Sequence, residues 1–319
     1  MADGTKSDSL TRQIADSAHE FLSTSTLDDT ALSNIIQAKK IDVLVDLAGH
    51  TAGNRLPVFA RRVAPVQVAW LGYFGTTGLK NMDAVVMGET HCSSSTQSFY
   101  CENIRTVAGT HFVYQQPDYL PLRKNISADH VRFASFNNTA KLNTEVIACW
   151  SKILQLVPNS SLTLKWKTLS DPTFARHLSN RFVNFGISTE RLILEPHTDH
   201  LNMLERYNAV DIALDTFPYS GGITSFEALS MGVLLITYPW QRPASKQGAA
   251  ILNQLGYSEL IAGSASEYIQ IAVALANDSA RLAKFQKELP LKLRQHCSDH
   301  SVIVASGLED IFTDLVSKR

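Results

Sequence analysis

The chain has 319 residues, with 29 Lys plus Arg balanced against 30 Asp plus Glu for a net charge of -1. That length fits about two domains, and the near-neutral balance excludes a protein that grips nucleic acid or an anionic membrane by bulk charge. At 45% hydrophobic and 18% charged residues, the composition is that of a packed globular protein and excludes a disordered chain.

In chain order, 9–21 and 28–38 read as helices, and 41–47 (IDVLVDL) reads as a buried strand. Further strands are expected at 66–71 (VQVAWL) and 84–87 (AVVM). From 113 to 130 the texture changes: VYQQPDYLPLRKNISADH has two prolines and no apolar period, as a linker would. The alternation then restarts. Strands are expected at 131–136, 161–166, 192–195, 210–214 and 233–238. Helices are expected from Asn143 to about 157, and at 173–186, 200–208, 225–231, 244–255 and 266–276. A helix at 279–289 is expected to stop at Pro290, and a last one to run over 300–316. Continuous apolar strands alternating with amphipathic helices predict parallel sheets covered on both faces, hence two Rossmann-like halves.

Several signals are missing. No run of about 18 apolar residues predicts a membrane span, and residues 1–25 are polar with no apolar core of a secretory signal. Cys92, Cys101, Cys149 and Cys297 form no CxxC pair, as expected of free thiols in a reducing cytoplasm. The sequence has no Asp-x-Asp, GxxxxGK[ST], GxGxxG or GxSxG motif, and no dense metal-ligand cluster. A diphosphate leaving here would have its charge offset by Lys, Arg and helix dipoles, with no metal expected.

In open α/β sheets, ligands bind beyond the carboxyl ends of strands, so the loops after strands are where chemistry is sought. The sharpest is Asp215-Thr-Phe-Pro-Tyr-Ser-Gly-Gly-Ile-Thr-Ser-Phe-Glu227. Gly221 and Gly222 open a helix whose amides and dipole suit a phosphate, with hydroxyls from Thr224 and Ser225. The Glu227 carboxylate, one turn in, suits the two hydroxyls of a ribose. Thr224-x-x-Glu227 is also a capping box that merely starts a helix, and both readings stay open from residue types alone. Asn137-Asn-Thr-Ala-Lys141 brings an ammonium past another strand, and Arg206 lies on a helix beginning near Asp199. A solvated lysine before a helix and an ordinary surface salt bridge are the plainer readings of the two. Gly49-His-Thr-Ala-Gly-Asn-Arg55 and Gly72-Tyr-Phe-Gly-Thr-Thr-Gly78 are glycine-rich loops of the first half.

The runs IDVLVDLAGHTAGNRLPVFARRVAPVQVAWLGYFGTTGLKNMD, FASFNNTAKLN, VDIALDTFPYSGGITSFEALSMGV and LGYSELIA resemble the O-linked N-acetylglucosamine transferase family, including its bacterial and SPINDLY-like members. The resemblance runs from about 10 to about 315, in the family's order and spacing. It implies an α/β GT-B fold of two Rossmann-like domains: a partial N-terminal, acceptor-side domain over 1–118, a linker over 119–130, and a nucleotide-sugar-binding domain over 131–319. It implies inverting, metal-independent transfer of N-acetylglucosamine from UDP-GlcNAc to Ser or Thr of a protein. No cofactor, nucleic acid or membrane is expected, and the expected setting is cytoplasmic. By resemblance, Lys141 contacts the diphosphate and supports the leaving group, and Asn138 lies near the uracil and diphosphate. His200 and Arg206 fall at the nucleotide site; Gly221, Gly222, Thr224 and Ser225 form the diphosphate loop, and Glu227 holds the ribose. His50, Gly72 and Phe74 border the sugar and acceptor, and the catalytic base is not assigned.

The chain departs from the family in places. Ile223 replaces a hydroxyl residue of the diphosphate loop, Phe74 replaces a proline, and Lys246 stands where arginine is common. The family's opening strand–helix units, its N-terminal histidine motif and its tetratricopeptide repeats are not seen. An exposed sheet edge is therefore expected in the first half, with a homo-oligomer or a partner completing it. Two alternative readings stay open: a nucleotide-sugar-binding module without autonomous activity, and a GDP-fucose-using protein O-fucosyltransferase of the same family.

Overall fold

The computed structural model describes residues 1, 4, 7–124 and 130–319, so positions 125–129 of the expected linker lie outside the described residues. The chain forms two compact units. One comprises Met1–Met87, Ser94–Val107 and Ser306–Arg319; the other comprises Gly88–Ser93 and Ala108–Ala305.

The first unit contains α1 (Ser9–Ser17), α2 (Asp29–Ala38), β1 (Val43–Asp46), the single turn α3 (Leu56–Phe59), β2 (Val66–Trp70), β3 (Ala84–Gly88) and β4 (Asn103–Val107). The sheet order is β1-β2-β3-β4, with β1/β2 and β2/β3 parallel and Val43 opposite Val66. β3 is buried throughout, as an apolar run between neighbours should be. Leu32 and Ile36 from α2 pack with Val58 and Val63 into a small core. Neither α3 nor β4 is expected from the sequence. A four-residue helix is too short to show a period, and β4 (NIRTV) is an edge strand of mixed polarity buried only at Val107. Ser306–Arg319 joins this unit through ion pairs of Asp314 with Arg105 at 2.7 Å and of Arg319 with Asp83.

The second unit contains β5 (Val131–Ser135), α4 (Thr144–Leu156), β6 (Ser160–Lys165), α5 (Pro172–Val183), β7 (Leu192–Glu195), α6 (His200–Arg206), β8 (Ile212–Leu214), α7 (Ile223–Ser230), β9 (Leu234–Ile236), α8 (Gln247–Gln254), α9 (Ala265–Ala276) and the part of α10 (Ser279–Ser317) up to Ala305. Its sheet is parallel throughout, in the order β7-β6-β5-β8-β9. That is the doubly wound pattern in which the chain reverses direction between β5 and β8, leaving a crevice beyond their carboxyl ends. The helices start on side-chain caps. Asn143 accepts the Val146 amide at 2.9 Å, Asp199 that of Asn202 at 3.0 Å, and Ser264 that of Glu267 at 3.1 Å. Trp150, Phe133, Phe182, Phe217, Tyr207 and Tyr268, each at most 2% exposed, fill the core.

Pro290 does not end a helix as the sequence suggests: α10 runs unbroken through it, merging the two expected helices. Proline removes one amide and so strips the carbonyl four residues earlier, that of Gln286, of its helical donor. That carbonyl approaches Gly232, where a Cβ would lie 2.5 Å from the oxygen and φ is +67°. The helix continues past the proline all the same. Among the described residues, no helix is long and apolar enough to cross a membrane.

Candidate functional site

The loops after β5 and β8 meet at the crevice where the sheet order reverses. They line a cleft of about 660 Å³ with Asn137, Asn138, Lys141 and Asn143 from one side and Pro218, Tyr219, Gly222, Ile223 and Thr224 from the other. Trp166, after β6, completes the lining. Gly221 lies in the same loop just beneath it.

Asn138 starts a turn over Thr139–Lys141 by accepting the Ala140 amide at 3.0 Å. The turn carries Lys141 inward, where Nζ donates to the Ser220 carbonyl at 2.8 Å and to Asn137 Oδ1 at 3.2 Å. The ammonium also stands over the Tyr219 ring, 4.5 Å from its centre. Burial pushes Lys141 down to about 8, offset in part by the Asp215 carboxylate. Lys141 is thus a desolvated cation, held by neutral acceptors at a cleft wall.

On the other wall, α7 opens at Gly222 without a side-chain cap. The capping-box reading fails: Thr224 Oγ1 donates to Asn137 Oδ1 at 3.3 Å, and the Glu227 carboxylate turns to His200. Among the described residues, the amides of Gly222, Ile223 and Thr224 find no acceptor in the protein. Three uncapped amides at a helix start beside an ammonium are an arrangement that can hold an anion. Gly221 lies close under the side chains of the loop: a Cβ there would lie 2.6 Å from Ser225 Oγ and 2.9 Å from Thr224 Oγ1, so both hydroxyls would have to move. Ser225 itself is 2% exposed and its hydroxyl lies behind the cleft wall without a partner.

A second polar cluster lies one helical turn along α7. Glu227 is buried and pairs through Oε1 with His200 Nε2 at 2.9 Å. His200 Nδ1 in turn meets the Tyr119 hydroxyl at 2.7 Å. Burial pushes the Glu227 carboxyl up, and the His200 contact draws it back. Because Thr224 and Glu227 are three residues apart on one helix, they share a face, so the anion site and this carboxylate belong to one surface. Arg206 is not brought to the cleft. It forms an ion pair with Glu195 at 2.8 and 3.0 Å and reaches Thr163 at 3.4 Å.

The candidates of the first half have local explanations. His50 Nε2 meets the Thr77 carbonyl at 2.9 Å, and its ring packs edge-on against Tyr73. Gly72 lies so close to the Leu47 carbonyl that no Cβ fits. The Phe74 carbonyl accepts from the Tyr100 hydroxyl.

Sequence reading passed over Asn137, which bridges Lys141 to Thr224, in favour of its neighbour Asn138. It assigned no role to Asp215, Tyr119, Tyr219 or Trp166. The signal for Asp215 was a carboxylate directly after an apolar strand, where a buried charge requires donors from the following loop. Tyr119 gave none, because it meets His200 across 81 residues of chain.

The profile of glycosyl transferase family 41 matches residues 2–126 and 120–301. A barley protein named probable UDP-N-acetylglucosamine–peptide N-acetylglucosaminyltransferase SPINDLY is 34% identical over 268 residues, covering 82% of this chain and 28% of its own. The Arabidopsis thaliana protein of the same name is 32% identical over 299 residues, covering 92% and 32%. The chain thus spans about a third of the length of these curated relatives. Among solved structures, a mutant of the Thermobaculum terrenum O-GlcNAc transferase superposes with a TM-score of 0.93 at 33% identity, covering 98% of this chain and 60% of that one. A sucrose-phosphate synthase from Thermosynechococcus elongatus, at TM-score 0.59 and 13% identity, shares the fold alone. The two parallel α/β units are those of a GT-B glycosyltransferase, as the sequence resemblance implied.

Proposed function

The chain belongs to glycosyl transferase family 41, and from that premise we propose that it transfers N-acetylglucosamine from UDP-GlcNAc to Ser or Thr hydroxyls of proteins, inverting the anomeric centre without a metal ion. The observation that carries the proposal is Lys141 Nζ facing the uncapped amides of α7 across one cleft at the sheet's reversal point. The two names that accompany the resemblance at about a third identity point to the same donor and acceptor classes.

In this reading the diphosphate lies between Lys141 and the amides of Gly222, Ile223 and Thr224. As the bond from the anomeric carbon to the phosphate oxygen breaks, negative charge grows on the departing UDP. The ammonium and the helix start are already oriented toward it, so little reorganisation is needed. The acceptor hydroxyl oxygen bonds to the anomeric carbon from the face opposite the departing UDP, which accounts for the inversion, and its proton passes to solvent. Asn138 lines the same cleft beside the diphosphate. Glu227, with one oxygen on His200, keeps its second oxygen for the ribose hydroxyls, and His200 lies toward the base. The proposal extends to a cytoplasmic setting, supported by four cysteines that are all free thiols.

The test is transfer from UDP-GlcNAc to Ser/Thr peptides in chelator, read by mass spectrometry, with GDP-fucose as the competing donor. Hexosamine on Ser or Thr that is lost in Lys141→Ala is the expected result. Transfer of fucose alone, or transfer only when metal is restored, would overturn it.

A further inference from the structure

We propose that Asp215 is a positioning residue for the donor diphosphate: through a single peptide unit it fixes the start of the Gly221–Thr224 loop and acts as the counter-charge of Lys141. The inference rests on the function proposed above and adds to it a residue that does not line the cleft.

Asp215 follows β8 and is fully buried. Its carboxylate is held by three donors. Oδ1 accepts the Thr216 amide at 2.9 Å and the Gly221 amide at 2.6 Å, and Oδ2 accepts from the Thr237 hydroxyl at 2.7 Å. Gly248 seals the space behind it, where a Cβ would lie 2.6 Å from Oδ2. Its main-chain oxygen accepts from the Tyr268 hydroxyl at 2.9 Å, which itself accepts from Trp150 Nε1 at 3.2 Å. A carboxylate so deeply buried is destabilising unless donors and a cation offset it, yet among the described residues no cation touches it.

The cation acts from one peptide away. The Ser220–Gly221 peptide offers its carbonyl to Lys141 Nζ and its amide to Asp215 Oδ1. An ammonium on the oxygen and a carboxylate on the N–H polarise the same group in the same sense, and each strengthens the other's bond. With that peptide fixed at both ends, the chain turns once and leaves the next three amides without protein partners. The charges also depend on each other. Burial pushes Asp215 up to about 6 and Lys141 down to about 8, and each opposes the other's shift. The ionisable groups facing Asp215 are Lys141, from the loop after β5, and Tyr268, from α9. Burial holds the Tyr268 phenol well above its ordinary range, so it stays neutral.

The test compares UDP with uridine on the full chain, by calorimetry, for the wild type, Asp215→Asn and Asp215→Ala. Asparagine keeps an oxygen for both amides and removes the charge; its nitrogen takes the place of Oδ2, so the Thr237 hydroxyl must turn from donor to acceptor. UDP binding is expected to weaken about tenfold in Asp215→Asn and further in Asp215→Ala, while uridine binding changes less than about twofold. The alkaline limb of UDP affinity, set by loss of the Lys141 proton, is expected to move to lower pH in Asp215→Asn. An Asp215→Asn protein that binds UDP like the wild type, with its alkaline limb unmoved, would overturn the inference alone. Equal losses for UDP and uridine would also overturn it, by marking a purely structural role. A wild type that binds no UDP would overturn the proposed function and this inference with it.

Discussion

Ile223 stands at the first position of α7, on the cleft wall, with its side chain 53% exposed. In the proposed reading, a hydroxyl there would add a donor at the cleft wall beside the α7 amides. A hydrogen bond to a charged group contributes about 1.5–3 kcal/mol, so Ile223→Thr is expected to tighten UDP binding by about tenfold or more. Unchanged affinity in that variant would place the diphosphate elsewhere. Glu227 gives a contrasting prediction. Its carboxylate is assigned to the ribose, so Glu227→Ala should weaken uridine and UDP by similar factors, about tenfold each. A loss confined to UDP would contradict the assignment. Much of the site was legible at this scale. Lys141, Gly222 and Thr224 were singled out as polar and glycine positions in loops after apolar strands, but residue types alone left the plainer readings open, and the family resemblance gave them their roles. Asn137 and Asp215 were not singled out, because a buried polar side chain is recognised by its partners, which lie up to 87 residues away for Asn137.

At the scale of elements, the site depends on how closely α8 approaches the loop after β8. Gly248 lies in α8, and a Cβ there would meet Asp215 Oδ2 at 2.6 Å, Thr237 Oγ1 at 3.0 Å and Leu235 Cδ2 at 3.2 Å. None of these is the free end of an exposed chain. Gly248→Ala should therefore destabilise the fold by about 1–3 kcal/mol, read as a lowered midpoint in denaturant, and weaken UDP binding by displacing Asp215. A variant as stable as the wild type would show that this packing yields more easily than its distances imply. Strand and helix order in the second unit followed the apolar runs and cap residues well. The errors have physical causes. α10 passes Pro290 with the Gln286 carbonyl set close to Gly232, a neighbour 54 residues distant that no local pattern carries. β4 is polar enough at the sheet edge to read as loop.

At the scale of the molecule, the parallel sheet with its direction reversal between β5 and β8 accounts for why two loops so distant in sequence line one cleft. That architecture was legible because alternating β and α periods constrain topology strongly. The membership of Ser306–Arg319 in the first unit was not, since it rests on ion pairs of Asp314 and Arg319 with residues over 200 positions away. The buried charge also sets a pH dependence. Asp215 titrates near 6 when folded against 3.8 as its ordinary value, so the folded state binds the extra proton between those limits. Its contribution to stability is fully present below the ordinary value and is lost as pH rises through about 6. Thermal midpoints across this window should therefore show the wild type losing ground to Asp215→Asn as pH rises, and parallel curves would contradict that.

The central claim is that the second unit holds a nucleoside diphosphate through Lys141 and the start of α7. Calorimetric titration of the purified chain with UDP and with GDP, in chelator and again with a divalent metal, tests it most directly, with Lys141→Ala alongside. The account predicts UDP binding that is indifferent to metal, weaker GDP binding, and collapse of UDP binding in Lys141→Ala. Binding that prefers GDP, requires metal or survives the loss of Lys141 would contradict it.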